Sequence, residues 1–192
     1  HGVVEGEDAG TIINDGVLCG DGVIFGTKDV EFKDPKAGLY LWLPGMERAK
    51  HLRGGQTCSN GKVLISREGK RYLLDIDTPT KVVVEYPLDL ANQVLGDPRT
   101  VVDLREVEAF PDGMVMTPDG RSVIVAMYNP NDVEAGEARQ HSLVDGRLER
   151  IWKTPGSPRV TCPLLAEEGG EVVLVLTTAV EHMTEEEQAR HP

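Results

Sequence analysis

Apolar residues are gathered along this chain in short runs, and polar residues, glycines and prolines separate one run from the next. Runs of about four to seven residues that contain β-branched side chains and are bounded by Gly, Pro or Asp are typical of β-strands. Such runs are Lys62–Ile65, Arg71–Ile76, Lys81–Tyr86, Arg121–Met127 and Glu171–Thr177. Apolar positions at helical spacing are almost absent, so the pattern predicts an all-β chain.

One segment near the end of the sequence has a helical signal instead. Thr184 is followed by Glu185, Glu186 and Glu187. A Thr three residues before a Glu forms a capping box, in which each side chain accepts the backbone N–H of the other residue. The segment therefore predicts a short helix after Thr184.

The turn residues recur at a long period, which indicates repeated structural units. Gly16 and Gly61 are 45 residues apart, and Gly61 and Gly113 are 52 residues apart. A period of about 40–50 residues with four strands in each unit is typical of a β-propeller blade. The polar residues that open the units are Asn14, Asn60 and Asp112, and a weaker copy begins near Thr161.

The same pattern places the strands within a unit. The unit that begins at Asn60 is predicted to have strands near 62–66, 71–76, 81–87 and 99–104. The second glycine of each unit is predicted to lie in a hairpin turn, where a positive φ is needed. The polar residue and glycine that open a unit are predicted to precede its innermost strand, which lines the central channel. The predicted turn glycines are Gly22, Gly69 and Gly120.

A radial arrangement of these units would bring Asn14, Asn60 and Asp112 to equivalent positions around one axis. Amide and carboxylate oxygens are the ligands that hard divalent cations such as Ca²⁺, Mg²⁺ and Mn²⁺ prefer. A cation held there could polarise an ester or lactone carbonyl and lower the pKa of bound water. Asp112 is the acid among the three residues, so it is the candidate general base.

The same residues have a purely structural interpretation. Asn-Gly and Asp-Gly are the commonest turn dipeptides, so each pair taken alone is explained by a turn. Recurrence in register favours a shared site, but a repeat architecture repeats its turns as well. Periodicity alone leaves both interpretations open.

Charge and composition narrow the function. The chain has 20 Lys and Arg against 32 Asp and Glu, a formal net charge of −12. This balance argues against binding to nucleic acid or to anionic membranes, because both depend on basic patches. The longest apolar run, Val172 to Leu176, is far shorter than the roughly 20 residues of a spanning helix. A cytoplasmic protein is expected.

The remaining candidate residues carry weaker signals. The three cysteines fit neither a disulfide framework nor a zinc site, so reduced thiols are expected. The five histidines lack metal-ligand spacing and are predicted to lie at the surface or near the ends of the chain. Trp42 and Trp152 are predicted to be core residues between blades. The cysteines are Cys19, Cys58 and Cys162, and the histidines are His1, His51, His141, His182 and His191.

Several of these motifs occur in the order found in one known family. The chain resembles the gluconolactonase, regucalcin (senescence marker protein) and luciferin-regenerating enzyme family over nearly its whole length. The Ser-Asn-Gly and Phe-Pro-Asp-Gly-Met segments are the more specific part of the match. The matching segments are Asn14-Asp15-Gly16, Phe25-Gly26-Thr27, Cys58-Ser59-Asn60-Gly61, Asp75-Ile76-Asp77-Thr78, Phe110-Pro111-Asp112-Gly113-Met114, Tyr128-Asn129, Thr161-Cys162-Pro163, Thr177-Thr178-Ala179 and Arg190-His191-Pro192.

This resemblance implies a six-bladed β-propeller with one divalent cation, usually calcium or zinc, at its axis. Enzymes of the family hydrolyse sugar lactones or other small esters. Asn60 and Asp112 match two of the family's metal ligands, and Asp112 also matches its proposed general base. Asn14 matches a position that contacts substrate or metal-bound water. Asp77 falls at a family position for which we predict no role.

The sequence departs from the family pattern at three places. The family's remaining metal ligand is a Glu of the first blade, and Glu5 and Glu7 lack its motif, so this ligand is expected outside the chain. The basic residue that binds sugar lactones in some members is replaced by Ile12. Six blades at this period need about 280 residues, and this chain supplies three full units and part of a fourth.

We therefore expect residues 1–192 to form one β-propeller domain, truncated at both ends and containing about three and a half blades. The predicted function is metal-dependent hydrolysis of a lactone or small ester by activated water. The alternative is a propeller that binds or scaffolds without chemistry; a strictosidine-synthase-like enzyme is less compatible with the Asn60 and Asp112 pair. Open blade edges expose unpaired N–H and C=O groups, so a missing segment or a second chain is expected to cover them.

Overall fold

The computed structural model describes residues 4–6 and 9–191. The chain folds into two compact units, of which the first ends at Thr100 and the second begins at Val101. Each unit is built from antiparallel sheets in which consecutive strands are neighbours. Short strands joined by tight turns are what the apolar runs and their bounding glycines predict, and the all-β class is confirmed.

The first unit contains two sheets. One sheet has the order β1-β2-β3-β4, and the other has β5-β6-β7-β8 along its main path. A turn of 3-10 helix, Thr78–Thr80, follows β6, and the chain passes into the second unit within β9 (Arg99–Asp103). The strands are β1 (Thr11–Cys19), β2 (Gly22–Asp29), β3 (Ala37–Trp42), β4 (Lys50–Gln56), β5 (Ser59–Arg67), β6 (Lys70–Asp77), β7 (Val82–Asp89) and β8 (Val94–Leu95).

The second unit contains a four-stranded sheet and a two-stranded one. The order of the first is β10-β11-β12-β13, while β14 and β15 pair as a separate hairpin. The predicted helix is α1 (Glu185–Arg190), and both capping-box bonds between Thr184 and Glu187 are present. The strands are β10 (Phe110–Met116), β11 (Ser122–Tyr128), β12 (Ala135–Ser142), β13 (Leu148–Pro155), β14 (Val160–Glu168) and β15 (Glu171–Thr178).

The core of each unit lies where inner strands pack. In the first unit, apolar side chains of β2, β3 and β6 form one buried cluster that includes Ile24, Leu39 and Leu73. In the second unit, β11 is buried along nearly its whole length, because neighbouring strands and packed side chains cover both of its faces. Within the described residues, no helix has the length and apolar character needed to cross a membrane.

Two of the three predicted turn glycines behave as expected. Gly69 and Gly120 have φ values of 75° and 70°. The prediction for Gly22 is wrong, because the first hairpin turns at Gly20, whose φ is 61°, and Gly22 already pairs with Cys19 as the first residue of β2. Gly22 is instead needed for a close approach, since a Cβ there would lie 2.4 Å from the carbonyl oxygen of Trp42.

Two predictions of burial are also wrong. Trp42 ends β3 and is 38% exposed, with its indole Nε1 donating to the carbonyl of Met46 at 3.1 Å. His141 is buried rather than at the surface, and His191, which lies near the end of the chain as predicted, is buried as well. His141 lies 3.0 Å from the carbonyl of Gly146, and His191 lies 2.7 Å from Asp132. His1 and Pro192 lie outside the described residues.

Candidate functional site

The polar residue that opens each unit lies inside the first strand of a sheet, at an interruption of the strand pairing. The prediction that these residues precede the strand is therefore wrong. A β-bulge leaves residues without ladder partners and re-aims their side chains, which explains how Asn14, Asn60 and Asp112 can sit in a strand and still serve a site. The pairing shifts between Ile13 and Gly16 in β1, between Ser59 and Lys62 in β5, and between Pro111 and Met114 in β10.

The glycine after the polar residue is required by close packing in at least one of these bulges. A Cβ on Gly113 would lie 2.7 Å from the carbonyl oxygen of Thr161 and 2.9 Å from the Cα of Cys162. Any larger residue would push β10 away from β14. The Asp-Gly pair of β10 thus has a packing reason as well as a chemical one.

Asn60 is nearly buried, and its amide is held in one orientation. Its Nδ2 donates to the Thr78 hydroxyl at 3.1 Å, and the Cys58 sulfur lies 3.9 Å from the same nitrogen. Because both contacts use the nitrogen, the side-chain Oδ1 is left as an acceptor among the described residues. An amide oxygen that accepts no bond from these neighbours suits a hard cation.

Asn14 is anchored in the same way to the start of β5. Its Nδ2 donates to the carbonyl of Ser59 at 3.0 Å and lies 3.7 Å from the Cys58 sulfur. The structure therefore brings Asn14 and Asn60 together, with the buried Cys58 between their two amide nitrogens. Their roles in binding substrate and metal stay predictions.

Asp112 lies in the second unit and is half-buried at the bulge of β10. Its charge contributes to raising the pKa of Tyr128, after the larger effect of burial and together with Glu181, whereas Arg159 opposes the shift. The Arg159 guanidinium lies 5.8 Å from the centre of the Tyr128 ring. Asp112 is therefore a carboxylate in a partly enclosed, polar environment, which suits both a ligand and a base.

Sequence reasoning missed a buried charged network directly behind Asn60. Lys62 and Asp75 have no exposed side-chain area, and their charged atoms lie 3.3 Å apart. Burial raises the pKa of Asp75, and the neighbouring Lys62 opposes that rise. Counting back from the Glu68-Gly69 turn places Lys62 opposite Asp75 across the hairpin, so this pair could have been found from the predicted turn.

Asp77, for which the sequence indicates no role, hydrogen-bonds the backbone just before β5. Its Oδ1 accepts the backbone N–H groups of Thr57 and Cys58 at 3.1 and 2.9 Å. Burial raises the pKa of Asp77, and these two hydrogen bonds oppose the rise. The residue thus holds the main chain two residues before Asn60.

Glu5, one of the acidic residues near the start of the chain, is bonded to hydroxyl groups of the first unit. Glu5 accepts hydrogen bonds from the Tyr40 hydroxyl at 2.5 Å and from the Thr27 hydroxyl at 2.9 Å, and its other oxygen bonds Thr11. Burial first, and then Glu5, raise the pKa of Tyr40. Glu7 lies outside the described residues.

The candidate metal donors of the two units are amide and carboxylate oxygens. Among the residues that the structure describes, no three His, Cys, Asp or Glu side chains come together as a possible metal site. The candidate donors of the first unit are the amide oxygens of Asn14 and Asn60, and the candidate donor of the second unit is the carboxylate of Asp112. The three cysteines are reduced thiols, with Cys19 and Cys58 buried and Cys162 exposed.

Comparison with known proteins identifies the family of this chain. The sequence matches the family described as the SMP-30/gluconolactonase/LRE-like region over residues 2–180. The chain belongs to this family. An uncharacterised protein of Sulfolobus acidocaldarius is 29% identical over 157 residues, which cover 82% of this chain and 53% of that protein. The chain thus spans about half the length of this relative.

Solved structures of the family show the same fold. Regucalcin from Agrobacterium tumefaciens, described as a calcium-binding protein, superposes with a TM-score of 0.77 at 20% identity, covering 95% of this chain and 58% of regucalcin. A luciferin-regenerating enzyme gives a TM-score of 0.74 at 21% identity, covering 93% of this chain and 57% of that enzyme. The four sheets are therefore blades of an incomplete six-bladed β-propeller, about three and a half in number.

Proposed function

We propose that this protein is a divalent-metal-dependent hydrolase of the gluconolactonase type, acting on a lactone or small ester. The observation that carries the proposal is the repeated bulge, which presents Asn14, Asn60 and Asp112 at equivalent positions of three first strands. Membership of a family that includes a calcium-binding protein supports it.

The residues present fit a hard cation. Both asparagines direct their amide nitrogens to protein acceptors, which leaves their oxygens for a ligand. Asn60 and Asp112 would hold the cation, and Asn14 would contact the substrate. Ca²⁺ is the first candidate, with Zn²⁺, Mg²⁺ or Mn²⁺ as alternatives. When bound, the cation would polarise the substrate carbonyl and lower the pKa of water.

The chain's own residues would perform the remaining steps. Asp112 would accept a proton from the attacking water, because it is the carboxylate of the set and is partly enclosed. Asn14 would orient the substrate through the amide oxygen that its bond to Ser59 leaves available. Ile12, which is 49% exposed, offers no charge to a sugar, so the proposed substrate class is the less polar lactones and small esters.

Replacing Asp112 by Asn tests this proposal. We expect Asp112→Asn to lower lactone or ester hydrolysis by about 100-fold or more, the usual contribution of a general base, and to weaken Ca²⁺ binding measured by calorimetry. Removing metal with a chelator should abolish turnover, and adding Ca²⁺ should restore it.

The chain contains a matched control for this experiment. Asp119 lies in the same tripeptide, Pro-Asp-Gly, but in an exposed turn, where its carboxylate bonds Thr117 and the N–H of Arg121. Asp119→Asn should keep both metal binding and turnover. If Asp112→Asn also leaves both unchanged, the assignment of Asp112 is wrong.

A second candidate function is a propeller that binds a ligand without chemistry. The exposed Ile12, at the position where the family resemblance expects a basic substrate contact, favours it. Hydrolysis of no member of a broad lactone and ester panel, combined with metal binding that survives in Asp112→Asn, would support this alternative over the hydrolase.

A further inference from the structure

Lys62 is a fully buried lysine that contacts the backbone of a candidate metal ligand. Its Nζ donates to the main-chain carbonyl of Asn60 at 2.6 Å and to the Ser59 hydroxyl at 2.9 Å. It forms an ion pair with Asp75 at 3.3 Å, and neither side chain has any exposed area. A lysine is rarely buried unless its ammonium group is paired in this way.

Asp75 is itself held from two sides. Its Oδ2 accepts a hydrogen bond from Gln56 Nε2 at 2.6 Å, and its Oδ1 accepts one from the Ser59 hydroxyl at 3.3 Å. The ammonium and carboxylate groups are thus surrounded by fixed polar partners. The closed network leaves Lys62 little freedom to move away from Asn60.

The bulge explains why Asn60 needs such a donor. The pairing of β5 with β6 is interrupted between Ser59 and Lys62, so the carbonyl of Asn60 has lost its regular ladder partner. A buried carbonyl without a donor is costly. The Lys62 ammonium replaces the ladder N–H and fixes the backbone from which the Asn60 side chain projects.

The equivalent positions of the other bulges lack this pair. The residue two positions after Asn14 is Gly16, which lies opposite Phe25, and the residue two after Asp112 is Met114, which lies opposite Val125. In the β14–β15 hairpin, counting from the turn places Pro163 opposite Leu176. A bulge of this kind therefore forms without buried charges, and their presence behind Asn60 calls for a local reason.

We propose that Lys62 and Asp75 are a positioning pair that holds the Asn60 backbone so that its amide oxygen is presented to the cation. The proposal rests on the proposed function in taking Asn60 as a metal ligand. Neither residue touches the metal or substrate; both act through Asn60, as partners behind a ligand commonly do.

The test removes both charges together. In Lys62→Met/Asp75→Asn, the amide at position 75 can still accept from Gln56, and no unpaired charge remains buried, so the protein is expected to fold. Its melting temperature, its Ca²⁺ affinity by calorimetry and the hydrogen exchange of the backbone amides 59–62 without metal are then measured. Lys62→Met/Asp75→Leu is the second variant if the first does not fold.

We expect the folded double variant to bind Ca²⁺ about 10- to 100-fold more weakly, the usual loss when a partner behind a ligand is removed, and to exchange its 59–62 amides faster. The control is Lys36→Met, which removes a lysine 3.0 Å from the buried Asp29 in the same unit. This variant should keep the Ca²⁺ affinity of the wild type.

The outcomes separate the two proposals. If the double variant folds and binds Ca²⁺ as tightly as the wild type, with unchanged exchange at 59–62, the positioning role is wrong and the proposed function survives. If the wild type binds no Ca²⁺, Zn²⁺, Mg²⁺ or Mn²⁺, the proposed function is wrong, and the positioning role is wrong as well.

Discussion

The two units of this chain treat their buried polar groups differently. In the first, the buried charges have partners: Lys62 pairs with Asp75, Asp29 with Lys36, and Glu85 with Arg99 at 2.7 Å. In the second, three buried side chains keep nitrogens without a partner among the described residues. These are Nε2 of His141, Nε and Nη1 of Arg159, and Nδ1 of His191. In the described part of the first unit, the buried side-chain atom without a hydrogen-bond partner is Oε1 of Gln56.

The terminal hairpin extends the same contrast to apolar residues. The β5–β6 and β14–β15 hairpins both have a two-residue turn with positive φ and a shifted register near the start of the inner strand. Yet β6 is mostly buried, whereas β15 is mostly exposed. Local sequence thus determines the hairpin, while burial depends on what packs against it. We infer that a further segment or a second chain covers β14 and β15.

The largest expected effect compares a paired buried cation with one that is only partly paired. Lys62→Met leaves the Asp75 carboxylate buried without its cation, which should cost about 3–5 kcal/mol of unfolding free energy. Arg159→Met removes a guanidinium with two unpaired nitrogens, so its loss should stay within about 1 kcal/mol. Urea unfolding of the two variants measures the difference.

A large loss of unfolding free energy in Arg159→Met would contradict this expectation. The guanidinium does keep two long hydrogen bonds from Nη2, to the carbonyls of Pro130 and His182 at 3.3 and 3.4 Å. If Arg159→Met costs as much as Lys62→Met, those bonds and the contact with the Tyr128 ring are worth more than the unpaired nitrogens cost.

The next effect compares equivalent apolar positions in the two hairpins. Leu74 and Val175 each lie five residues after the last turn residue of their hairpin, but Leu74 is 0% exposed and Val175 is 44% exposed. Leu74→Ala should cost about 2–5 kcal/mol, because it leaves a cavity. Val175→Ala should cost less than about 1 kcal/mol. The denaturant midpoints of the two variants, compared with that of the wild type, measure the two losses of stability.

A substitution to lysine sharpens the same comparison. Val175→Lys should be tolerated if β15 faces water, and it should disrupt folding or assembly if another segment or chain covers that face. Size-exclusion chromatography of the wild type and Val175→Lys distinguishes these cases. An uncovered monomer that is unaffected by Val175→Lys would contradict the inferred cover.

The repeat explains how much of this fold can be predicted from the sequence. The runs Arg71–Ile76 and Glu171–Thr177 lie within one residue of the bounds of β6 and β15, because turn residues with positive φ directly precede both strands. Gly22 is misassigned because two glycines flank Asp21, and the pattern does not show which one turns. The bulges escape prediction as well, since the register depends on the partner strand.

The candidate site, too, can be predicted from the sequence only in part. Asn14, Asn60 and Asp112 can be picked out because their neighbourhood repeats, but the orientation of the two amides depends on Ser59 and Thr78, which no periodicity reveals. Burial is the property that the sequence predicts least well. The His191 imidazole bonds Asp132, which lies 59 residues away in the chain, and His141 lies on β12 opposite Val123 of β11.

The smallest expected effect is a dependence of the second unit on pH. His141 Nδ1 lies 3.0 Å from the carbonyl of Gly146 and therefore donates to it, while Nε2 is buried without a partner among the described residues. Burial lowers the pKa of His141 below its ordinary value of 6.5. A proton on Nε2 would add a buried charge with no acceptor, so the folded chain resists protonation.

The sign of the effect follows from this lowered pKa. The unfolded chain takes up the proton at a higher pH than the folded chain does. His141 therefore contributes full stability above about pH 6.5, and this stability is lost as the pH falls through the lowered pKa of the folded state. The urea midpoint of the wild type should drop between about pH 7.5 and about pH 5.5.

Two variants show whether this drop belongs to His141. The drop should be smaller in His141→Gln, whose amide can still donate to Gly146 but does not titrate, and it should persist in His51→Gln, because His51 is exposed. Equal pH dependence in His141→Gln and the wild type would mean that a partner for Nε2 forms in solution. The second unit would then satisfy its buried imidazole as completely as the first unit satisfies its charges.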